Sequence, residues 1–196
     1  ARDAGIRDVV FLGDVFDAPT IAWAVFPKVL GLLKHYADLG VRCSSIVGNH
    51  DIRYDRLSTL DETSLGVLFM SGYLGRLADS PIRLKRGDSV VDVIGFDFGQ
   101  EIASKSELLE GEDVTFGIET ICVAHEYFNY GLSDKTLTDS DLDAYEHDHY
   151  VFGHDHSPYN TYTGNGWLLH RPGSLARNSA DAHNRLRIPR VLVYDV

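Results

Sequence analysis

Asp14, Asn49, His125, His154 and His156 share one feature: each follows closely on the end of an apolar run. Asp8 to Leu12 is followed by Gly13-Asp14, and Val41 to Val47 by Gly48-Asn49-His50-Asp51. Ile118 to Ala124 is followed by His125, and His149 to Phe152 by Gly153-His154-Asp155-His156. Carboxylate, amide and imidazole without thiolate form a ligand mixture that suits a hard-to-borderline divalent cation such as Mn²⁺, Fe²⁺ or Zn²⁺. A carboxylate can bridge two cations about 3.5–4 Å apart. An amide oxygen is neutral, so it preserves the Lewis acidity that polarises a phosphate and lowers the pKa of a bound water. A single polar cluster at a strand end is commonly only a turn. Four of them at four strand ends favour chemistry over that plain reading.

The elements that must position these residues can be read coarsely. Asp8 to Leu12 has the length and flanks of a buried strand. Pro19 to Leu39 carries a helical pattern, with Leu30, Leu33 and Tyr36-Ala37 on one side and Gly40 as its stop. Val41 to Val47 is a second strand, and strand, helix, strand is the signal of a parallel sheet. Ligands gather beyond the carboxyl ends of such strands, so the four clusters should converge. The glycines before Asp14, Asn49 and His154 should let the backbone turn sharply there.

Further along, Thr63 to Met70 reads as a helix, and Ile82 to Lys85 and Ser89 to Phe96 as strands joined by Arg86-Gly87-Asp88. Ser104 and Glu107 stand in capping-box spacing before a short helix. Asp139 to Tyr145 gives one or two helical turns. Thr161 to Thr163, Trp167 to His170 and Arg190 to Tyr194 read as an antiparallel end. Repeats, low-complexity stretches and linkers are missing, so one domain over residues 1–196 is the economical reading.

Composition sets outer bounds. Hydrophobic residues make up 44% and charged residues 24%, as in ordinary soluble domains. No stretch approaches the roughly 20 apolar residues that span a bilayer. Cys43 and Cys122 each sit in a strand-like run and read as buried reduced thiols, which fits a cytoplasmic location. The net charge of −11 is concentrated. Between Glu101 and Asp148 there are 13 acidic residues against Lys105 and Lys135, while the rest of the chain balances. The plain reading is a solvated acidic face. His35 reads as a partly buried helix residue. His147 and His149, in the acidic run, read as surface residues, and His183 as exposed.

Together the blocks resemble those of the calcineurin-like metallophosphoesterases. Gly13-Asp14-Val15-Phe16-Asp17, Gly48-Asn49-His50-Asp51, His125 and Gly153-His154-Asp155-His156 match that family's GDxxD, GNH[DE], H and GHxH blocks in order. Pro172-Gly173-Ser174 resembles the Pro-Gly-Ser turn common near the end of the fold. The resemblance implies an αββα sandwich of two mixed sheets flanked by helices. It also implies two divalent metal ions, Mn²⁺ first among them. Asp14 would bridge the pair, Asn49, His125 and His154 would complete one metal site, and His156 would serve the other. His50 would act on the leaving-group oxygen, with Asp51 orienting it and Asp17 in support. The implied reaction is in-line attack on phosphorus by a metal-activated water.

One block of the family is not found. Its pattern opens with Asp-x-His on a first strand, and no such triplet precedes Asp14. With Ala1 at the start and Gly5 reading as a helix stop, the expectation is that a first strand and helix precede this sequence.

Three functions follow from the resemblance. The leading one is a phosphodiesterase acting on DNA, an exonuclease or endonuclease. Gly153-His154-Asp155-His156-Ser157-Pro158 resembles the form seen in SbcD-type and phage DNA-repair exonuclease-like members. Such members imply a homodimer or an ATPase-type partner subunit, and no membrane. The second is a phosphatase or phosphodiesterase for small nucleotides or phosphoproteins, favoured by the acidic net charge. The third is a non-catalytic scaffold subunit. Arg171 and Arg177 flank the Pro-Gly-Ser turn and are candidates for holding substrate phosphate, with surface salt bridging as the alternative. His170 could face the site. Tyr127, Phe128 and Tyr130 could wall the cleft or pack in the core.

Overall fold

A computed structural model describes residues 5–110, 118–129, 136–156, 161–175 and 188–195. Two sheets carry the motif-bearing strands. The smaller contains β1 (Asp8–Phe11), β2 (Arg42–Ser45) and β3 (Gly75–Arg76), in that order and all parallel. The larger contains β4 (Ile82–Arg86), β5 (Ser89–Phe96), β6 (Ile118–Ala124), β7 (His149–Phe152), β8 (Tyr162–Thr163) and β9 (Leu168–His170). Its order is β4-β5-β6-β7-β9-β8. The four inner strands run parallel, and β4 and β8 close the edges antiparallel. The sandwich is therefore mixed in its larger sheet only; the smaller is parallel throughout the described residues.

Period-two alternation builds the layers. Ile121 and Val123 of β6 face the smaller sheet, with Ile46, Leu77, Val91, Val93 and Val151, and Val10 and Leu12 pack against them. Cys122 and Ala124 face the other way, among Leu142, Tyr150, Phe152 and Trp167. On the outside of the smaller sheet, Val47 packs with Leu33, Leu65 and Leu68. These last three come from α1 (Phe26–Asp38) and α2 (Ser64–Met70). The larger sheet's outer face is covered by α4 (Asp139–Tyr145), through Leu142, and by the segment before α3 (Lys105–Leu108), through Ile102.

Register decides where the site can be. Phe96 of β5 pairs with Ala124 of β6, and Ala124 with Phe152 of β7. The three strands end level, so Asp97, His125 and Gly153 leave the sheet side by side. Phe11 and Ser45 pair in the same way at the end of the smaller sheet.

Several elements differ from expectation. α1 begins at Phe26 rather than Pro19 because Pro27 has no N–H to donate and is accommodated only in a first turn. Arg190 to Tyr194 form no strand. Val191 and Val193 stay exposed, and the segment is held by side chains, Tyr194 Oη donating to Glu119 at 2.6 Å and Arg86 pairing with Asp195 at 3.0 Å. His147 is 1% exposed and not a surface residue. Its Nε2–H donates to the Ala103 carbonyl at 3.1 Å, and its Nδ1 lies 3.2 Å from the Thr120 hydroxyl oxygen. His35 is exposed rather than partly buried. Cys122 is buried and Cys43 half-buried, both free thiols. Among the described residues no helix is long and apolar enough to cross a membrane.

Candidate metal centre

The loops that follow β1, β2, β6 and β7 meet between the two sheets, and their shape depends on close backbone approach. Beyond β1 two successive residues are left-handed, Gly13 at φ 82° and Asp14 at φ 49°. His154 is also left-handed, at φ 71°. Non-glycine residues rarely adopt this conformation, and such residues cluster at functional sites. Gly48 is extended, at φ −95°. It is a glycine because of space, not conformational freedom: a Cβ there would lie 2.1 Å from Asp14 Oδ1. At Gly153 a Cβ would lie 2.1 Å from the Leu12 carbonyl oxygen and 2.9 Å from His125 Nδ1. Gly153 therefore lets the end of the larger sheet pack against the end of β1, and Gly48 lets the loop after β2 pack against Asp14 within the smaller sheet.

Ligand-type atoms converge as a result. One atom from each of Asp14, His125 and His154 lies within 4.8 Å of the other two. His125, buried at the end of β6, donates its Nδ1–H to the Leu12 carbonyl at 2.7 Å. Its Nε2 then faces two oxygens, Asp14 Oδ2 and Asn49 Oδ1, each at 3.2 Å. An imidazole nitrogen whose partner nitrogen is committed to a carbonyl presents its lone pair. A lone pair aimed at two oxygens needs a positive charge between them, supplied by a proton or a cation. The donor set of carboxylate, amide oxygen and two imidazoles, His125 and His154, fits a divalent transition metal.

Electrostatics agree. Burial alone would raise the Asp14 carboxyl, but the hydrogen bond and charge of His125 and the His50 amide bring it below the usual range. Burial and the neighbouring His125 push His154 down to about 4, so it is a neutral, ligand-competent imidazole at pH 7. Its ring lies 4.7 Å from that of His125 and 3.9 Å from that of Tyr127.

Residues 49–51 form a single 3-10 turn after Gly48. The His50 amide donates to Asp14 Oδ1 at 2.9 Å, and its side chain is 45% exposed. His50 Nδ1–H donates to the Asp17 carbonyl at 3.1 Å, and the Asp17 carboxylate is 3.9 Å away. The expectation paired Asp51 with His50 and placed Asp17 in support; the structure puts Asp17 against the imidazole instead. Asp51 turns inward, where its carboxylate accepts from the Gly48 amide at 2.9 Å and the Phe16 amide at 3.3 Å. Burial pushes its pKa up to about 6 despite those hydrogen bonds.

Sequence reasoning missed Asp97, which leaves β5 level with His125. Its Oδ1 accepts from the Val47 amide at 2.7 Å, and its Oδ2 is held by Arg76. The Phe98 amide donates to the Val47 carbonyl at 2.9 Å, so the end of β5 clamps the residue before Gly48 on both sides. An Asp directly after an apolar strand was the available signal.

A cleft of about 250 Å³ opens over the centre, lined by Asp14, His50, Tyr127, His154, Asp155 and His156. His156 shares this cleft but is not among the three residues whose ligand atoms cluster. Its carbonyl accepts from the Ser174 amide at 3.2 Å, which brings the Pro-Gly-Ser turn alongside. Arg171 is engaged within the protein: it donates to the Phe128 carbonyl at 3.4 Å, lies 3.7 Å from Asp155 and stacks over the Phe128 ring. Phe128 is buried in the core, whereas Tyr127 lines the cleft. His170 stacks on His149 and bonds Thr161, outside the cleft lining. Arg177, Tyr130, His183 and Ser157-Pro158 lie outside the described residues.

Comparison with known proteins fits this geometry. The fold matches the crystal structure of TT1561 of Thermus thermophilus with a TM-score of 0.55 at 9% identity, over 90% of this chain and 80% of that one. A second solved structure aligns over 76% of this chain and 64% of its own at 11% identity, with a TM-score of 0.41, too loose a likeness to bear on the fold. No curated protein sequence matches. The family model of the calcineurin-like phosphoesterases matches residues 3–158, a span that contains every strand-end block assembled above. The chain belongs to the calcineurin-like phosphoesterases, and is a metal-dependent phosphoesterase.

Proposed function

We propose that the chain hydrolyses phosphodiester bonds in DNA, as an exonuclease or endonuclease, with a pair of divalent ions, Mn²⁺ first among them. The observation that carries the hydrolytic reading is His125 Nε2 held between Asp14 Oδ2 and Asn49 Oδ1. Asp14, Asn49, His125 and His154 would hold one ion, and Asp14 with His156 would contribute to a second. Bound there, a divalent ion supplies Lewis-acid polarisation of the phosphoryl oxygens and activation of water.

The protein's own groups do the rest. His50 Nδ1–H is committed to the Asp17 carbonyl, which fixes the ring and leaves Nε2 for the cleft. Protonated, Nε2 gives its proton to the departing oxygen, while the Asp17 carboxylate stands 3.9 Å from Nδ1. His50 and Asp17 are exposed on this side, which leaves room for a chain that continues past the scissile bond. That room, with the Gly-His-Asp-His-Ser-Pro run, favours a polymer over a small ester.

The test uses purified protein with Mn²⁺ on bis-p-nitrophenyl phosphate, p-nitrophenyl phosphate and linear single- and double-stranded DNA. Cleavage of the diester and of DNA is the expected result. Cleavage of the chromogenic esters without DNA would reject the nuclease reading in favour of small substrates, which the net charge of −11 supports. No turnover with metal bound would leave a scaffold.

A further inference from the structure

Four residues beyond His50 the chain makes a turn that folding alone would not select. Arg53-Tyr54-Asp55-Arg56 closes with the Arg56 amide donating to the Arg53 carbonyl at 3.1 Å. Both central residues are left-handed, Tyr54 at φ 56° and Asp55 at φ 54°. That is a mirror-image turn, which favours Asn-Gly. A bulky aromatic in this conformation is strained, and here its ring is 86% exposed, so burial returns nothing to the fold. The turn is nonetheless pinned. The Thr59 hydroxyl accepts from the Arg53 amide at 2.9 Å and donates to the Arg56 carbonyl at 2.7 Å.

A second exposed aromatic stands on the neighbouring loop. Trp23 is 83% exposed and belongs to the segment between Asp17 and α1. That segment is tied at several points: the Asp17 carbonyl to His50, the Pro19 carbonyl to the Ser64 amide at 2.7 Å, and the Ile21 amide to the Ser64 hydroxyl at 3.0 Å. Arg53 Nη2 donates to Thr20 Oγ1 at 3.2 Å and joins the two loops. Two solvent-facing rings are therefore carried on cross-braced loops that both touch His50 or follow it directly.

Strain kept in a braced loop beside a reactive centre points to use of the ring itself. We propose that Tyr54 and Trp23 are stacking platforms for unpaired bases of a nucleic-acid strand, with Arg53 and Arg56 meeting its phosphates. Aromatic faces bind bases of any sequence, and arginines beside them follow the backbone. Two separate rings and two guanidiniums ask for more than one base and more than one phosphate, which selects a strand over a mononucleotide. The inference rests on the phosphodiesterase reading and names its substrate as single-stranded at the site.

Tryptophan emission tests it. The chain has two tryptophans, and Trp167 is 3% exposed, so Trp23 is the one open to a ligand. Mn²⁺-loaded His50→Ala protein is titrated with an oligothymidylate of about ten nucleotides and with an abasic strand of equal length. The expected result is quenching by the first only, lost in Trp23→Phe, with about tenfold or greater preference for the base-bearing strand. Tyr54→Gly should cut affinity for oligothymidylate about tenfold while its melting temperature holds or rises, because glycine relieves the turn. Equal affinity for the two strands overturns the proposal, as does loss of affinity accompanied by a lower melting temperature. If the unsubstituted enzyme hydrolyses diesters while bases make no difference, only this inference fails. Base-dependent binding without any hydrolysis would sink the phosphodiesterase reading instead.

Discussion

His125 Nε2 lies 3.2 Å from Asp14 Oδ2 while the same ring's Nδ1 lies 2.7 Å from the Leu12 carbonyl. One buried side chain at the end of β6 thus bonds the backbone at the end of β1 and faces the carboxylate two residues on. It joins the two sheets and presents a ligand-type nitrogen to the carboxylate at once. Asp14→Ala and His125→Ala should each abolish Mn²⁺ uptake, read by elemental analysis after dialysis. His125→Ala should also destabilise the protein by about 1–3 kcal/mol, since it leaves a buried carbonyl unpaired; denaturant unfolding of the metal-free protein checks this.

The glycines predict a different failure. A Cβ at Gly48 or Gly153 would meet Asp14 Oδ1 or the Leu12 carbonyl at 2.1 Å. Gly48→Ala and Gly153→Ala should cost about 1–3 kcal/mol of stability through overpacking and weaken metal binding, although neither residue offers a ligand atom. Calorimetric titration with Mn²⁺ and a thermal melt of each variant measure the two effects.

The two aspartates beside His50 should separate cleanly. Asp51→Ala leaves the Gly48 and Phe16 amides without their acceptor, at about 1–3 kcal/mol for each buried group. Asp17→Ala removes a carboxylate whose side chain is 88% exposed and should change stability by less than about 0.5 kcal/mol, yet it should slow turnover. His50→Ala should lower kcat by about 10²–10⁴ with metal content unchanged. Parallel unfolding, metal and rate measurements on the three variants check the assignment.

Acid should loosen the fold through His147. Burial holds its pKa below the ordinary 6.5, with the Lys105 charge adding and the Ala103 hydrogen bond and the carboxylates of Asp148 and Glu146 opposing. The unfolded chain therefore binds the proton first, and the stability that neutral His147 contributes is complete above pH 6.5 and lost as pH falls below it. Asp148 follows in a lower window. Burial would raise its pKa, but Lys105 and the Thr120 amide hold it below 3.8, so its contribution is complete above that value and is lost at lower pH. His147→Gln keeps hydrogen-bonding groups without the titration. Its melting temperature should fall less than that of the unsubstituted protein between about pH 7.5 and 5.5, both followed by circular dichroism.

The four strand-end clusters were legible because apolar runs, glycines and ligand-type residues are local signals. β1, β2, β5, β6 and β7, and the Ser104–Glu107 cap, follow from such patterns. What escaped depends on partners far along the chain. Asp51 and Asp17 are both acidic residues after a turn, and only the packing of the Gly48 loop on Phe16 decides which one turns inward. His147 sits in an acidic run that reads as surface, but Thr120 and Ala103 enclose it. Asp97 acts through Val47, fifty residues away. Gly48 and Gly153 were read as flexible joints, and the space they leave is visible only once β1 and β2 lie side by side and the larger sheet faces them.

Anomalous diffraction from a crystal soaked in Mn²⁺, recorded at the manganese edge, tests the centre most directly. The predicted result is a strong peak within coordinating distance of Asp14, Asn49, His125 and His154. A map in which those four side chains enclose no anomalous density, while Mn²⁺ binds elsewhere or not at all, would contradict the account.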